Sequence, residues 1–160
     1  MENIDKFLIL APGVLLAIAS RALFPHIFFQ ILFRLPGTLA HELCHFVCAL
    51  LSNAQPANLT IIPHKATDGN WTLGSVSCNN IRWYNGFLVG LAPLLLFGVL
   101  YISMPKKLEL SASLAAYWLL TAALLPSAFP SRTDLKVTAI SLVPVFIVAL
   151  LALLFFWHFA

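Results

Sequence analysis

The stretch that decides the fold runs from Phe33 to Leu51 and reads FRLPGTLAHELCHFVCALL. It places two histidines and a glutamate, HELCH at residues 41–45, inside an otherwise apolar run. An ionisable group in a membrane-spanning segment costs about 2.5–3.5 kcal/mol on insertion scales, so such groups are rare and mark functional sites. Two questions therefore follow from this stretch: whether lipid or water surrounds the helix, and what function the polar cluster has.

The composition indicates a membrane protein. Of the 160 residues, 61% are hydrophobic and only 9% are charged, and the mean hydropathy is +0.92. An average soluble domain is about 25% charged, and a soluble fold of this length could not bury so much apolar surface. The formal net charge of +3 is small and the basic residues are scattered, which excludes a nucleic-acid-binding surface. The lipid bilayer is therefore the expected partner.

The apolar runs predict a single integral membrane domain over residues 1–160, an all-α bundle of about five transmembrane helices. The predicted spans are 5–24, 27–51, 84–104, 110–131 and 137–159. Pro36 leaves two alternatives for the second span: one helix that bends near the proline, or a helix that begins there with the proline in its first turn. The opening MENIDKF lacks the positive region of a cleavable signal, so the first span is expected to remain as an anchor.

Residues 57–78 differ in kind from the spans, because they are polar enough to leave the hydrocarbon. The segments NLTII and WTLGSVSC have the composition of β-strands, and the DGN between them is a turn signal. The sequence therefore predicts a small β-hairpin region at the membrane surface.

The orientation follows from the positions of the basic residues. With a cytosolic N-terminus, five alternating spans put more basic residues inside than outside, as the positive-inside rule favours. The cytosolic set is Lys6, Lys65, Arg82, Arg132 and Lys136, and the opposite set is Arg21, Lys106 and Lys107.

The HELCH cluster has the spacing of a metal site. On a helix, His41 and His45 lie one turn apart on the same face, where two imidazoles can bind one zinc ion. Glu42 is next to His41 and can take a proton from a water at that ion. This arrangement is the HExxH motif of metalloproteases. The alternative is a helix end whose histidines face lipid headgroups.

A catalytic zinc ion usually has three protein ligands, so a third must come from elsewhere in the chain. The candidates are His26, His64, Asp68, Cys78, Glu109, Asp134 and His158. Asp134 is favoured because it lies at the junction of two predicted spans, in LLPSAFPSRTDLK, where two prolines would interrupt the helix. In the alternative interpretation, Asp134 belongs to an ordinary charged loop with Arg132 and Lys136.

The order of these features resembles the site-2 protease family of intramembrane zinc metalloproteases. HELCH in a membrane helix is followed by a β-rich segment containing WTLGSVS, then by a span with GFLVGLAPLLL, then by LLPSAFPSRTD. These pieces are similar to the family's motifs in the same order and cover residues 36–136. The HExxH is the specific part of the resemblance.

The resemblance implies that His41, His45 and Asp134 bind zinc and that Glu42 is the catalytic base. It also implies a site inside the membrane, toward the cytosolic face of an inner or plasma membrane. The region 57–78 would hold an unwound segment of a membrane-spanning protein or peptide substrate by strand addition.

This chain departs from the family pattern at three positions. Cys44 replaces the usual glycine before the second histidine, Ala123 stands where asparagine is common, and Leu135 follows the aspartate in place of glycine. The chain is expected to be a minimal catalytic core with no PDZ or CBS domain.

Two other functions compete with proteolysis. A metal-binding or metal-transporting membrane protein would use the same histidines, but it predicts further ligands along a pathway and gives Glu42 no necessary role. A catalytically silent relative that binds membrane partners would keep the fold and lose the complete metal site.

Overall fold

The computed structural model describes residues 2–23, 27–61, 64–65, 71–72 and 74–159. The described chain is mostly helical, with a small antiparallel β-structure between the second and third helices. The helices are α1 Glu2–Leu23, α2 Ile27–Leu51, α3 Gly86–Leu91, α4 Leu95–Ile102, α5 Ala112–Leu124 and α6 Arg132–Phe159. Single 3-10 turns at Ala92–Leu94 and Leu125–Ser127 follow α3 and α5, and the strands are β1 Pro56–Thr60, β2 His64–Lys65, β3 Trp71–Thr72 and β4 Ser75–Cys78. The predicted combination of a helical bundle with a small β-region is confirmed.

The β-region is a hairpin-like ladder. β1 pairs antiparallel with β4, with Thr60 opposite Ser75, and β2 pairs antiparallel with β3, with His64 opposite Thr72. The predicted turn at 68–70 lies outside the described residues. The fully buried Asn85 fixes the far end of the ladder, because its amide donates to the carbonyls of Ser52 and Asn80 at 3.2 and 3.0 Å.

α2 runs without interruption from Ile27 to Leu51, with Pro36 inside it. Of the two alternatives for the HELCH segment, the structure has the single helix that passes through the proline. α2 contacts α3, α4, α5, both 3-10 turns and the paired strands β1 and β4, so the HELCH residues lie at the centre of the fold.

The third predicted span corresponds to α3 and α4, which are separated by the 3-10 turn at Ala92–Leu94. Pro93 lies in that turn, and a proline has no backbone N–H to continue the α-helical hydrogen bonds. The helix therefore changes its winding at this point and then resumes.

α6 begins at Arg132, five residues before the predicted start at 137. The reason is a capping box, in which Ser131 and Asp134 exchange hydrogen bonds at the first turn. Asp134 is therefore part of a helix and not of a loop between spans.

The direction of α5 and α6 differs from the predicted alternation. Along α3 and α4, Gly86 adjoins Ser141, Phe97 stacks edge-to-face on Phe129, and Met104 packs against Leu114 and Tyr117. As the chain runs from Gly86 to Met104, the residues that it contacts move backward along the later segment, from Ser141 through Phe129 to Leu114. The segment from 114 to 141 therefore runs in one direction, antiparallel to 86–104, and the expected reversal between the last two spans is not observed.

The small residues of α3 let it pack closely on α6. Gly86 and Gly90 face Ser141 and Thr138 of α6. The hydroxyls of both residues donate to carbonyls within α6, at 2.8 and 2.9 Å, so this contact has no unpaired polar group from these two side chains.

α1 packs on α5, with Ile9 against Leu114 and Tyr117, and the indole of Trp118 donates to the Ile9 carbonyl at 2.9 Å. The first turns of α1 line a cavity together with the chain from Tyr101 to Lys106. Lys6 therefore lies at the same end of the bundle as Lys106, and the alternating arrangement that separates them is wrong on this point.

Among the described residues, one helical stretch, Arg132–Trp157, is long and apolar enough to cross a membrane by itself. The apolar stretches Gly86–Ile102 and Ala112–Ser127 are shorter. Every side chain from Val143 to Trp157 is exposed, and nearly all of them are large and apolar. An apolar surface of this extent is typical of a chain in contact with lipid.

Candidate metal centre

The structure brings the three predicted metal ligands together. The Nε2 atoms of His41 and His45 are 3.2 Å apart, and the carboxylate of Asp134 lies 3.5 Å from the first and 3.3 Å from the second. Asp134 is 89 residues from His45 in the chain (134 − 45), so this convergence is a result of the fold and not of local spacing. The three side chains can hold one metal ion between them.

The spacing of these atoms fits a small tetrahedral ion. Metal–ligand bonds of about 2.0–2.1 Å at tetrahedral angles place neighbouring donor atoms about 3.3–3.4 Å apart. The three observed separations, 3.2, 3.3 and 3.5 Å, bracket that value. The donor set of two imidazoles and one carboxylate leaves a fourth position for water, as in catalytic sites.

Each histidine is oriented by a backbone carbonyl on its other nitrogen. The Nδ1 of His41 is 2.6 Å from the Ser127 carbonyl oxygen, and the Nδ1 of His45 is 2.7 Å from the Val89 carbonyl oxygen. A carbonyl can only accept, so each Nδ1 carries the proton and each Nε2 keeps its lone pair. Second contacts of this kind fix the ring and raise its basicity toward a metal.

Two glycines let the helices that carry the site approach one another closely. A Cβ on Gly37 of α2 would overlap the Ala123 carbonyl and lie 2.6 Å from the Ser127 hydroxyl. A Cβ on Gly90 of α3 would overlap the Thr138 hydroxyl and lie 2.6 Å from the Asp134 carbonyl oxygen. Only glycine lets α2 approach the end of α5, and α3 approach the start of α6, at these distances.

Glu42 lies beside the three ligands in the same cavity. Its side chain is buried, with a relative exposure of 8%, and it follows His41 on α2. The backbone of Gly74 covers it so closely that a Cβ there would be 2.7 Å from the Glu42 Cγ. The segment that contains Gly74 thus packs directly against the Glu42 side chain.

The cavity has a volume of about 640 Å³ and reaches from the metal ligands to strand β4. Ser75, Val76 and Cys78 form one wall, and Phe129 and Val137 belong to another. Among the described strands β4 pairs only with β1, so one edge of β4 is paired and the strand also borders the cavity.

The other candidate ligands do not join the group where the structure describes them. Cys78 lines the cavity but is not one of the residues whose ligand atoms converge. Glu109 is exposed and lies 3.8 Å from the ammonium of Lys107, in the connection between α4 and α5. His26 and Asp68, and the side chains of His64 and His158, lie outside the described residues.

Three contributors to the site were not predicted. The carbonyls of Val89 and Ser127 cannot be recognised from the sequence, because any residue supplies a carbonyl. Ser131 could have been recognised, because S-x-x-D ahead of an apolar run is a capping-box signal, here SRTD before LKVTAISLV.

The chain matches no family model, no curated protein and no solved structure. The resemblance to site-2 proteases is therefore confined to short motifs of the sequence, and the geometry of this site is the independent observation that bears on function.

Proposed function

We propose that the protein is an intramembrane zinc metalloendopeptidase of the site-2 protease type. The observation that carries the proposal is the convergence of the His41 and His45 Nε2 atoms with the Asp134 carboxylate, in a cavity that also holds Glu42. A helix-borne glutamate beside a His–His–carboxylate group is a constellation that zinc metalloproteases use for peptide hydrolysis.

Zinc suits this donor set because it accepts imidazole and carboxylate ligands at tetrahedral distances. When bound, it supplies a Lewis acid that acidifies a water and polarises the carbonyl of the scissile peptide. His41, His45 and Asp134 hold the ion, and the carbonyls of Ser127 and Val89 keep the imidazoles in the binding tautomer.

Glu42 acts as the general base and then as the general acid. Its carboxylate takes a proton from the attacking water and returns it to the departing amine, so the proton count balances over one hydrolysis. The cover of Gly74 and the burial of Glu42 keep bulk water from the carboxylate, which strengthens its interaction with a nearby water.

The proposed substrate is a membrane-anchored protein or peptide that binds in an extended conformation. A helix hides its peptide carbonyls in its own hydrogen bonds, so a substrate must unwind before Glu42 can act on it. β4 borders the cavity and supports this step, because a strand edge can hydrogen-bond an extended chain by strand addition.

The proposed location is a membrane, with several passes and with the site toward the cytosolic side. The long apolar helix Arg132–Trp157 and the many exposed large hydrophobic side chains support the membrane location. α5 and the start of α6 run in one direction along α3 and α4, so the proposal does not include a reversal between the last two predicted spans.

Replacing Glu42 by glutamine tests the enzyme directly. We expect Glu42→Gln to lower cleavage of a membrane-anchored reporter at least about 100-fold, since general-base catalysis contributes about 10²–10⁴-fold, while the bound zinc remains. The matched control is Glu109→Gln, the same chemical change at an exposed glutamate remote from the cavity. Equal cleavage by wild type and Glu42→Gln would remove the proposal.

The same experiment separates metal transport from proteolysis. Transport predicts further ligand groups along a pathway, whereas the described part of the chain contains the one group of His41, His45 and Asp134. Zinc flux into proteoliposomes that is unaffected by Glu42→Gln would favour transport. A purified wild-type protein without bound metal would instead favour a silent relative.

A further inference from the structure

The start of α6 holds Asp134 by a reciprocal pair of hydrogen bonds. The backbone N–H of Ser131 donates to the Asp134 Oδ2 at 2.6 Å, and the hydroxyl oxygen of Ser131 accepts from the Asp134 N–H at 3.2 Å. This is a capping box, which satisfies two backbone donors that the first turn of a helix would otherwise leave unpaired.

The same carboxylate faces both histidines. Its Oδ1 lies 3.3 Å from the His45 Nε2, and its Oδ2, which also accepts from Ser131, lies 3.5 Å from the His41 Nε2. The side chain cannot rotate away from the Ser131 N–H without turning both oxygens away from the imidazoles. The helix N-terminus also stabilises a negative charge at this position.

We propose that Ser131 is a positioning residue for the metal centre. Its backbone N–H holds the Asp134 carboxylate, and its hydroxyl oxygen holds the Asp134 N–H and so fixes the first turn that carries this carboxylate. Both contacts act on the ligand, and neither touches the ion. The inference rests on the metal site proposed above and adds to it a residue outside the set of metal ligands.

α5 provides an internal comparison for this role. Ser111 caps α5 through the same hydroxyl contact, its oxygen accepting from the Leu114 N–H at 3.3 Å, but Leu114 has no side-chain acceptor for a reciprocal bond. The third residue of that helix is Leu114, which has no ligand atom, so the cap of α5 serves the helix alone. Loss of the Ser111 hydroxyl therefore reproduces the loss of a helix cap without the loss of a held carboxylate.

The test is a Co²⁺ titration of the purified full chain in detergent, followed by ligand-field absorption. Ser131→Ala keeps the backbone N–H that donates to the carboxylate and loses the hydroxyl that fixes the first turn. We expect it to bind Co²⁺ about tenfold more weakly than wild type, in line with the loss of other contacts behind metal ligands. Ser131→Thr should bind within about twofold of wild type, because threonine also caps helices through its hydroxyl. Ser111→Ala should bind like wild type.

Thermal unfolding of each metal-free variant separates stability from metal binding. We expect Ser131→Ala and Ser111→Ala to lower the midpoint by similar amounts, with only the first weakening Co²⁺ binding. Ser131→Gly covers the case in which Ser131→Ala does not fold, since glycine is a tolerable cap with no hydroxyl, and it should show the same loss of affinity.

Co²⁺ affinity and absorption in Ser131→Ala or Ser131→Gly equal to those of wild type would overturn the role of Ser131 and leave the metal site standing. A wild-type chain that binds no Co²⁺ would overturn the metal site and the role of Ser131 together. The two failures are therefore distinguishable in one set of titrations.

Discussion

Gly74 is the residue whose lack of a side chain matters most directly to the chemistry. A Cβ at this position would lie 2.7 Å from the Glu42 Cγ and 3.1 Å from the Thr38 Cγ2. Contacts of that length force one group to move, and the atoms contacted belong to the Glu42 and Thr38 side chains. In the proposed enzyme, the Glu42 carboxylate would be displaced with its side chain.

Substituting Gly74→Ala should therefore reduce reporter cleavage while leaving the metal bound. A shift of about 1 Å in a catalytic group can cost about 100-fold in rate, so we expect a loss between about 10- and 100-fold. Gly98→Ala is the control, because a Cβ there meets nothing within 4 Å. Metal content and cleavage are measured on the same preparations, and full activity in Gly74→Ala would mean that Glu42 is not held by the hairpin.

Substitution of His45 tests whether the three converging side chains bind the metal ion. We expect His45→Ala to lose most of its bound zinc, because it removes one of three converging donors and leaves the Asp134 carboxylate without its 3.3 Å neighbour. Cys44→Ala, one position earlier on α2, should keep the zinc of wild type. Elemental analysis of purified protein decides, and zinc retained in His45→Ala would place the metal elsewhere.

Much of the site could be predicted at the level of residues. HExxH has a fixed spacing on a helix, so His41, Glu42 and His45 are readable from sequence alone. Asp134 was the favoured third ligand because prolines interrupt the chain before it, and the structure places it beside both histidines. The carbonyls of Val89 and Ser127 were not predictable, since their contacts span 44 and 86 residues and any side chain could stand at either position.

At the scale of elements, the proline break between α3 and α4 helps to orient a histidine of the proposed metal site. Pro93 has no N–H, so the Val89 carbonyl four residues earlier has no α-helical donor from that position. It accepts from the Ala92 N–H in the 3-10 turn and from the imidazole of His45. The break thus leaves one lone pair of this carbonyl for the histidine.

Pro93→Ala should therefore weaken metal binding although the residue touches no metal ligand. The new N–H can pair with the Val89 carbonyl and join α3 to α4, which competes with His45. We expect about a tenfold weaker zinc affinity, measured by competition with a metal-binding dye. Pro144→Ala in α6 is the control, because the carbonyl that it would pair, that of Ile140, lies on an exposed face. Equal affinity in the two variants would contradict the role of Pro93.

Element boundaries were predictable only where the sequence carries a specific signal. The spans 5–24 and 27–51 agree with α1 and α2 to within a few residues, because long apolar runs define them. The start of α6 was placed five residues too late, since hydropathy discounts the charged RTDLK while the capping box begins the helix there. Hydropathy marks where a helix meets lipid, and hydrogen-bonding residues mark where it begins.

At the scale of the whole molecule, the direction of the helices could not be predicted. Hydropathy shows that a segment is apolar, but it does not predict in which direction the helix runs or which neighbours its two ends contact. Alternation was the simplest assumption, and it fails where α5 and α6 run the same way and where Lys6 joins Lys106 at one end. Lys6 therefore no longer adds to the basic residues at the hairpin end, which reduces the positive-inside bias predicted from the sequence.

This arrangement predicts which parts of the chain share a side of the membrane. In a variant without its three native cysteines, we introduce single cysteines by Lys6→Cys, Lys106→Cys and Ser77→Cys, the last on the exposed face of β4. An impermeant maleimide added to sealed vesicles should label Lys6→Cys and Lys106→Cys from the same side and Ser77→Cys from the opposite side. Alternating spans give the other pairing, in which the position at Lys6 is labelled together with the hairpin. That result would contradict the packing of α1 along α5, because Ile9 could not then lie against Leu114 and Met104 at the end of the bundle remote from the metal centre.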